Sequence, residues 1–599
     1  MLNKSISVLM FFLASHAFGA DIVVTTTEDA VKADDQCSLR EAIEYINKGR
    51  PESGLNGCGG KDASQTIILS NKEYRLNSQL SISKSLNIRT QYQADLNDNV
   101  FGRNNAVLKM IGNDRILYIE RSAPTTPDEK DQQVIVSINE VTFMGCDAAR
   151  CKDQGGLIYN KELLNLQFSQ LLNGKARQGG AIYDAGTYEA DKAPASSVNI
   201  DNTIMKGNQA EQGAVIYSES PRYKVFHSVV RDNSASTNNG SLFYARDAYN
   251  EAVLKILADV YTSEISNSTI FNNNAHIVRV MDGTKINNIT MILNSKGLIF
   301  DAPLGKAVVA NSILAKNGDE DCKIVAGNSS EKLTNNLYSV GCAGIKSQGL
   351  GTINLIASDT AEGKCDISSN GILCPFKLYD NTTLGYFRPR LLVTDKSLSD
   401  SLIVNNGPTP NSNLTQCEVR DQRNQQREIN SVELCDRGAI ELIVQKMSSN
   451  LIGSDILFGG TAKMSIADLL LDGELITPDQ CQTLLGNEPN GQAWQPGCMK
   501  IVQTNTPSKG RTTLSQDGDV TYIPDGNWDG SDQFNLLVVT STTRFSDSVN
   551  PYIEIKTNIV QRPPNDFKNN KVKTSGGSVG FGILSVLLGI VGLRRYRKK

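Results

Sequence analysis

Six carboxylates come first among the residues whose types could do chemistry: Asp201, Asp232, Asp282 and the run Asp319-Glu320-Asp321, in a chain of 599 residues. Carboxylates aligned on one face would supply the acid and base of a polysaccharide hydrolase, and Asp with calcium and a basic residue would serve a lyase. No Asp-Asp glycosidase cluster falls in a turn, and scattered Asp is ordinary on an acidic surface. The chain has 3 histidines, His16, His227 and His276. The first lies in a segment read below as a leader. The other two have no Gly-x-Ser-x-Gly segment nearby and are too few for a His-rich zinc site. Asp525-Gly526-Asn527-Trp528-Asp529-Gly530 fits the start of an EF-hand loop, but the closing Glu is replaced by Leu536. Asp525, Asn527, Asp529 and Asp532 would then hold calcium only weakly, and a polar turn is the simpler reading. No cofactor, metal ligand or catalytic residue is assigned. A formal net charge of -4 gives no basic excess for nucleic acid.

The 12 cysteines fall into near neighbours: Cys37/Cys58, Cys146/Cys151, Cys322/Cys342, Cys365/Cys374, Cys417/Cys435 and Cys481/Cys498. An even count without C-x-x-C predicts local disulfides in an exported chain. Residues 1–20 carry Lys4, an apolar core and the exit Ala17-Phe18-Gly19-Ala20, the pattern of a signal peptide. Signal peptidase would cut after Gly19 or Ala20, so the mature chain would begin at Ala20 or Asp21. Residues 575–599 hold Ser575-Gly576-Gly577-Ser578, an apolar span at 579–593 that predicts a C-terminal transmembrane helix, and the basic tail 594–599.

Those chemical candidates must be positioned by the elements between the two signals. From about Gln132 to Asn317 a short apolar run followed by an Asn- and Gly-rich turn recurs. Ile204, Val229, Ile270, Met291 and Ile313 are read as equivalent positions, about 21 to 25 residues apart except across an insertion around Arg246 to Thr262. A second element recurs with it: Gly-led strands ending in Tyr159, Tyr183, Tyr217 and Tyr244. The pattern predicts an all-β chain whose main domain, 21–442, is a right-handed, pectate-lyase-like parallel β-helix. Asn267, Asn288, Asn328, Asn381 and Asn413 sit in N-glycosylation patterns, yet Asn at a tight turn is explained by its tolerance of left-handed dihedrals and its hydrogen bonding. Ser38 and Glu41 form a capping box, so a helix begins there with Leu39, Ala42, Ile43 and Ile46 on one face, closing the first coil. Beyond it, strands around Val520 to Pro524 and Asp532 to Val539 predict a smaller Ig- or cadherin-like β-sandwich at 451–561, then a linker at 562–574.

Cys37-Ser38-Leu39-Arg40-Glu41-Ala42 resembles, letter for letter, the CSLREA motif at the start of exported bacterial β-helix proteins. Arg420-Asp421-Gln422-Arg423 followed by Cys435-Asp436-Arg437-Gly438-Ala439-Ile440-Glu441 resembles their closing segment. The tail resembles the GlyGly-CTERM sorting signal, cut near Gly576, Gly577 and Ser578 by the rhomboid-family protease rhombosortase. The layout as a whole is similar to the rhombotarget A family. That resemblance implies export through the inner membrane of a Gram-negative bacterium, transient anchoring there, and passage to the cell surface or medium. It implies no reaction. The expected work is structural or binding, with a glycan or another surface as partner; the alternative is a polysaccharide lyase or glycoside hydrolase.

Overall fold

Short runs of β-branched and aliphatic residues, each ended by a residue able to take a positive φ, can form strands but cannot extend them, so the chain must turn every few residues. The computed structural model describes residues 20–91, 105–123, 133–186, 196–219, 222–246, 262–326, 333–342, 354–356, 371–376, 386–389, 401–408, 416–422, 427, 434–441, 449–466, 500–514, 519–539 and 553–564. They fall into two compact units, 20–441 and 449–564. The signal peptide, the sorting signal with its transmembrane span, Cys365, Cys481, Cys498, Asn328, Asn381 and Asn413 lie outside the described residues. No helix among the described residues is long and apolar enough to cross a membrane.

The first unit is a parallel β-helix. Its coils contribute in turn to an 11-stranded sheet running from Ile22–Val23 to Leu333–Thr334, a 10-stranded sheet from Glu73–Leu76 to Leu337–Tyr338, and a 9-stranded sheet from Leu80–Ile82 to Cys322–Ala326. Within each sheet, equivalent strands pair in parallel, as Leu163–Gln167 pairs with Ser197–Asp201. Between the first and second sheets successive coils each have one left-handed residue from Asn202 onward: Asn202, His227, Asn267, Asn288 and Asn311 have φ of 45 to 53°. Below these turns runs a column of hydroxyls, in which the Thr203 amide donates to Ser228 Oγ and the Ser228 amide to Ser268 Oγ, both at 3.1 Å.

After the second sheet comes another left-handed residue and then a buried asparagine: Asn208, Asn233, Asn273, Asn294 or Asn317. The first four carboxamides each donate to the carboxamide of the next coil, at 3.0 Å from Asn208 to Asn233 and 2.9 Å from Asn294 to Asn317. Each also donates to a mid-strand carbonyl of the preceding coil, as Asn273 Nδ2 does to Val230 O at 3.0 Å. Asp321 ends the column. Its buried carboxylate accepts from Asn317 and from the amides of Ser339 and Val340.

The helix expected after Ser38 spans Leu39–Asn47, with the Ser38–Glu41 capping box formed. Glu41 is buried and also accepts from the Lys32 amide and Asn56 Nδ2. The Arg40 guanidinium grips both Asp29 oxygens, at 2.7 and 3.0 Å, and donates to the carbonyls of Ser78 and Gln79. The motif is therefore a clamp: Cys37 is disulfide-bonded to Cys58, Arg40 ties the helix to the first coils, and Leu39, Ala42, Ile43 and Ile46 are buried against them.

The closing segment, whose placement the sequence leaves open, runs back along the turns of earlier coils as a strap. Gly438 donates to Asn311 O, the Ala439 amide to Thr290 Oγ1 and the Glu418 amide to Asn288 Oδ1. Buried Arg427 pairs with Glu441 at 2.9 Å and reaches Asn267 Oδ1 at 3.2 Å. The register of the repeat differs from the sequence reading. Ile204 does face Val229, but Val229 faces Thr269, and Thr290, not Met291, faces Ile313. The inward row is Met205, Val230, Ile270, Met291 and Leu314, whereas Ile204, Val229 and Ile313 point outward into a second apolar cluster with Leu355, Ile372, Phe387 and Ile403. Because that cluster buries the outward row as well, both rows are apolar, and alternation cannot decide between them.

The second unit has a four-stranded sheet, ordered Ser449–Leu457, Ile553–Arg562, Gly530–Val539, Lys500–Asn505, and a three-stranded one, ordered Ala462–Ser465, Asp519–Pro524, Gly510–Leu514. Tyr522 of one stacks on Phe534 of the other, with ring centroids 6.3 Å apart, and donates to Asp532 at 2.8 Å.

Removing Glu41 orphans the amides of Ser38 and Lys32, so Glu41→Ala should cost about 2 kcal/mol, measured by denaturant unfolding. Asn273→Leu keeps the volume but strands the Asn233 amide and the Val230 carbonyl, and should cost about 3 kcal/mol in the same assay.

Candidate binding faces

The parallel coils bring equivalent residues of successive turns side by side, about 4.8 Å apart, so any site on this solenoid is a row. The six carboxylates do not make one. Asp201 lies 2.7 Å from His227 Nδ1. Asp232 is bonded by Asn272. Asp282 accepts the amides of Leu304 and Lys306. Asp321 closes the asparagine column, while Asp319 and Glu320 are exposed beside it. Neither histidine is bonded to a serine hydroxyl: His276 Nδ1 faces the Gly297 carbonyl at 3.2 Å, and burial holds its imidazole below the ordinary range. Among the described residues no group of three or more His, Cys, Asp or Glu could hold a metal.

In the second unit Asp525, Asn527 and Asp529 occupy the turn between two strands, as a polar turn would. Asp532 faces inward instead. Its carboxylate takes the amides of Ser508 and Lys509 and the Tyr522 hydroxyl, and these bonds hold it below its usual pKa against a burial that would raise it. It is spent on the scaffold and is not a free ligand.

Disulfides join Cys37 to Cys58, Cys146 to Cys151, Cys322 to Cys342 and Cys417 to Cys435, each a near-neighbour pair. The other two expected pairs, Cys365/Cys374 and Cys481/Cys498, lie outside the described residues. Of these four cysteines only Cys374 has a described backbone, in the strand Gly371–Phe376, where it stands opposite Arg388. Asn267 and Asn288 are buried under the strap, bonded to Arg427 and to the Glu418 amide, so they serve as turn residues. At the other end of the unit the Ala20 carbonyl accepts from the Ser64 amide at 2.9 Å, and Asp21 pairs with Arg89 at 3.1 Å.

Two rows remain on the outer faces. On the 9-stranded sheet, Tyr118, Tyr159, Tyr183, Tyr217 and Tyr244 stack with centroids 4.9 to 5.5 Å apart. The glycines that precede three of them, Gly155, Gly179 and Gly213, have φ of 62 to 67° and turn the chain into these strands. Arg115 covers the Tyr159 ring at 4.9 Å. Burial, aided by Glu219, pushes the Tyr183 hydroxyl above its ordinary pKa. Each inner ring has both faces against its neighbours, so the column offers only edges to a ligand. The repeated Gly-to-Tyr spacing was the sequence signal for it.

On the 11-stranded sheet, Asn87, Ser137, Asn165 and Asn199 form a half-exposed row of uncharged polar groups in direct register. Nothing in the sequence marked this row, since the next member is Lys224 and the intervals are irregular.

Beneath the tyrosines lies a buried acid that sequence reasoning also missed. Asp184 sits inward between Asn160 and Ser218, accepting from them at 2.9 and 3.0 Å. Burial outweighs these bonds and pushes its pKa up to about 7. No protein-family model matches the chain, and no curated protein or solved structure matches it.

Because the native state keeps the Asp184 proton up to near pH 7 while the unfolded chain loses it near pH 4, native stability should fall as pH rises through that interval. Asp184→Asn stays neutral, so its stability relative to the parent should rise from pH 4 to pH 7 by up to about 4 kcal/mol. Thermal midpoints of both proteins across this range measure the difference.

Proposed function

We propose that the chain is an exported protein sorted to the cell surface, whose solenoid binds a glycan or another surface and does not cleave it. In this reading the first unit is a right-handed, pectate-lyase-like coil, the second an Ig- or cadherin-like sandwich acting as spacer or binding module, and residues 579–593 a transmembrane helix. Signal peptidase and a rhombosortase-type protease are its processing partners, as the resemblance to the rhombotarget A family implies. The observation that carries the binding half is the disposal of the carboxylates: Asp201, Asp232, Asp282 and Asp321 are each bonded to the scaffold and not to one another. The export half is supported by disulfides, which persist in oxidising compartments. Cleavage after Gly19 would keep the Ala20 carbonyl that the Ser64 amide uses, whereas cleavage after Ala20 would remove that residue.

Intact mass before and after reduction with alkylation tests this on protein from cells with and without the protease. The expected species begins at Ala20, ends near Gly577 only when the protease is present, and takes up alkyl groups on its cysteines only after reduction. A species retaining Lys599 in both strains would make the tail an ordinary anchor.

A further inference from the structure

The outer face of the 11-stranded sheet between Asn87 and Asn199 has the composition of a carbohydrate platform. Asn199 Nδ2 donates to Asn165 Oδ1 at 2.9 Å, and Asn165 Nδ2 to Ser137 Oγ at 3.3 Å. A carboxamide has two donor hydrogens, so each bond in the row leaves one N–H directed away from it. The row also fixes the amide orientations in advance, which lowers the entropy cost of using them. Two residues earlier on the same strands stand Ile135, 45 % exposed, and half-exposed Leu163, in direct register. Two residues later stand Asn139 and Gln167. On these two rungs an apolar pair, the amide row and a second pair of amides stand side by side, bounded by Ser197 and Asp201 on the next rung and by Arg89 on the one before.

A pyranose ring is built the same way, with an apolar C–H face and a rim of hydroxyls that both donate and accept. The rungs repeat at about 4.8 Å, close to the length of one sugar unit in an extended chain. The row itself is uncharged, and the flanking charges have partners: Arg89 pairs with Asp21, and His227 bonds Asp201. It ends at Lys224, the next rung after Asn199. Among the described residues of the row, an acidic polymer would find no unpaired cation between Asn87 and Asn199.

We propose that this face binds a neutral, extended polysaccharide lying along the solenoid axis, with its hydroxyls on Asn165 and Asn199 and its C–H face on Ile135 and Leu163. The proposal rests on the glycan-binding reading above and names the ligand class and the face. Affinity electrophoresis of the full processed chain, in gels containing either neutral hydroxyethylcellulose or acidic polygalacturonate, tests it. The neutral polymer should retard the protein. The double variant Asn165→Ala/Asn199→Ala should weaken that retention roughly tenfold with an unchanged melting temperature. Ile135→Glu, which leaves the amides in place, should weaken it too, and Lys323→Ser on the 9-stranded sheet should not. Unchanged retention of the double variant on the neutral polymer would overturn this face while leaving glycan binding standing. Retention by polygalacturonate alone would overturn the neutral ligand. No retention in either gel would overturn both the face and the glycan reading beneath it.

Discussion

Axial hydrogen bonding between coils is the constraint on which the first unit depends. Strands satisfy it through their backbones, but at a turn the backbone groups point where no ladder continues, and a buried amide without a partner costs about 1 to 3 kcal/mol. Asparagine solves this for a stack of identical turns because its side chain both donates and accepts, so copies bond to copies. A carboxylate can only accept, which is why Asp321 stands where the column ends.

The same stacking explains which parts of the fold were legible. The Asn-turn repeat, the capping box and the near-neighbour cysteine pairs are local patterns whose physics is complete within a few residues. Register was not local. Val229 and Val230 are both fully buried, one in the outer apolar cluster and one in the interior, and the outward one is enclosed by residues distant in the chain such as Ile372, Phe387 and Ile403. The strap itself was visible as a motif without its placement. Its anchor Arg427 lies between the two quoted pieces, and its partners Asn267 and Glu441 are brought together by the coil and not by spacing.

Chemistry was harder to read than fold, for a reason that stacking also supplies. Carboxylates on adjacent coils would stand about 4.8 Å apart and repel, so a stable solenoid sets Asp beside a group that donates to it. Asp232 beside Asn272 and Asp201 beside His227 follow that rule, and turn positions in the sequence therefore overstate how far acids cluster. Asp184 was legible in principle. Alternation along Ile182-Tyr183-Asp184 puts the acid on the same face as Ile182, which is the interior.

The two outer rows differ in what stacking leaves over. Aromatic rings attract through their faces, so a column of tyrosines at 4.9 to 5.5 Å consumes the surface on which a sugar would lie, and the cation of Arg115 occupies part of the remainder. That column stabilises the sheet it stands on. Carboxamides stack through one hydrogen and keep another, so the same geometry that closes the tyrosine face leaves the asparagine face with directed donors at every amide rung. A solenoid can thus hold itself together on one side with rings and still present, on another, a row of polar groups whose orientation its own coils have already set.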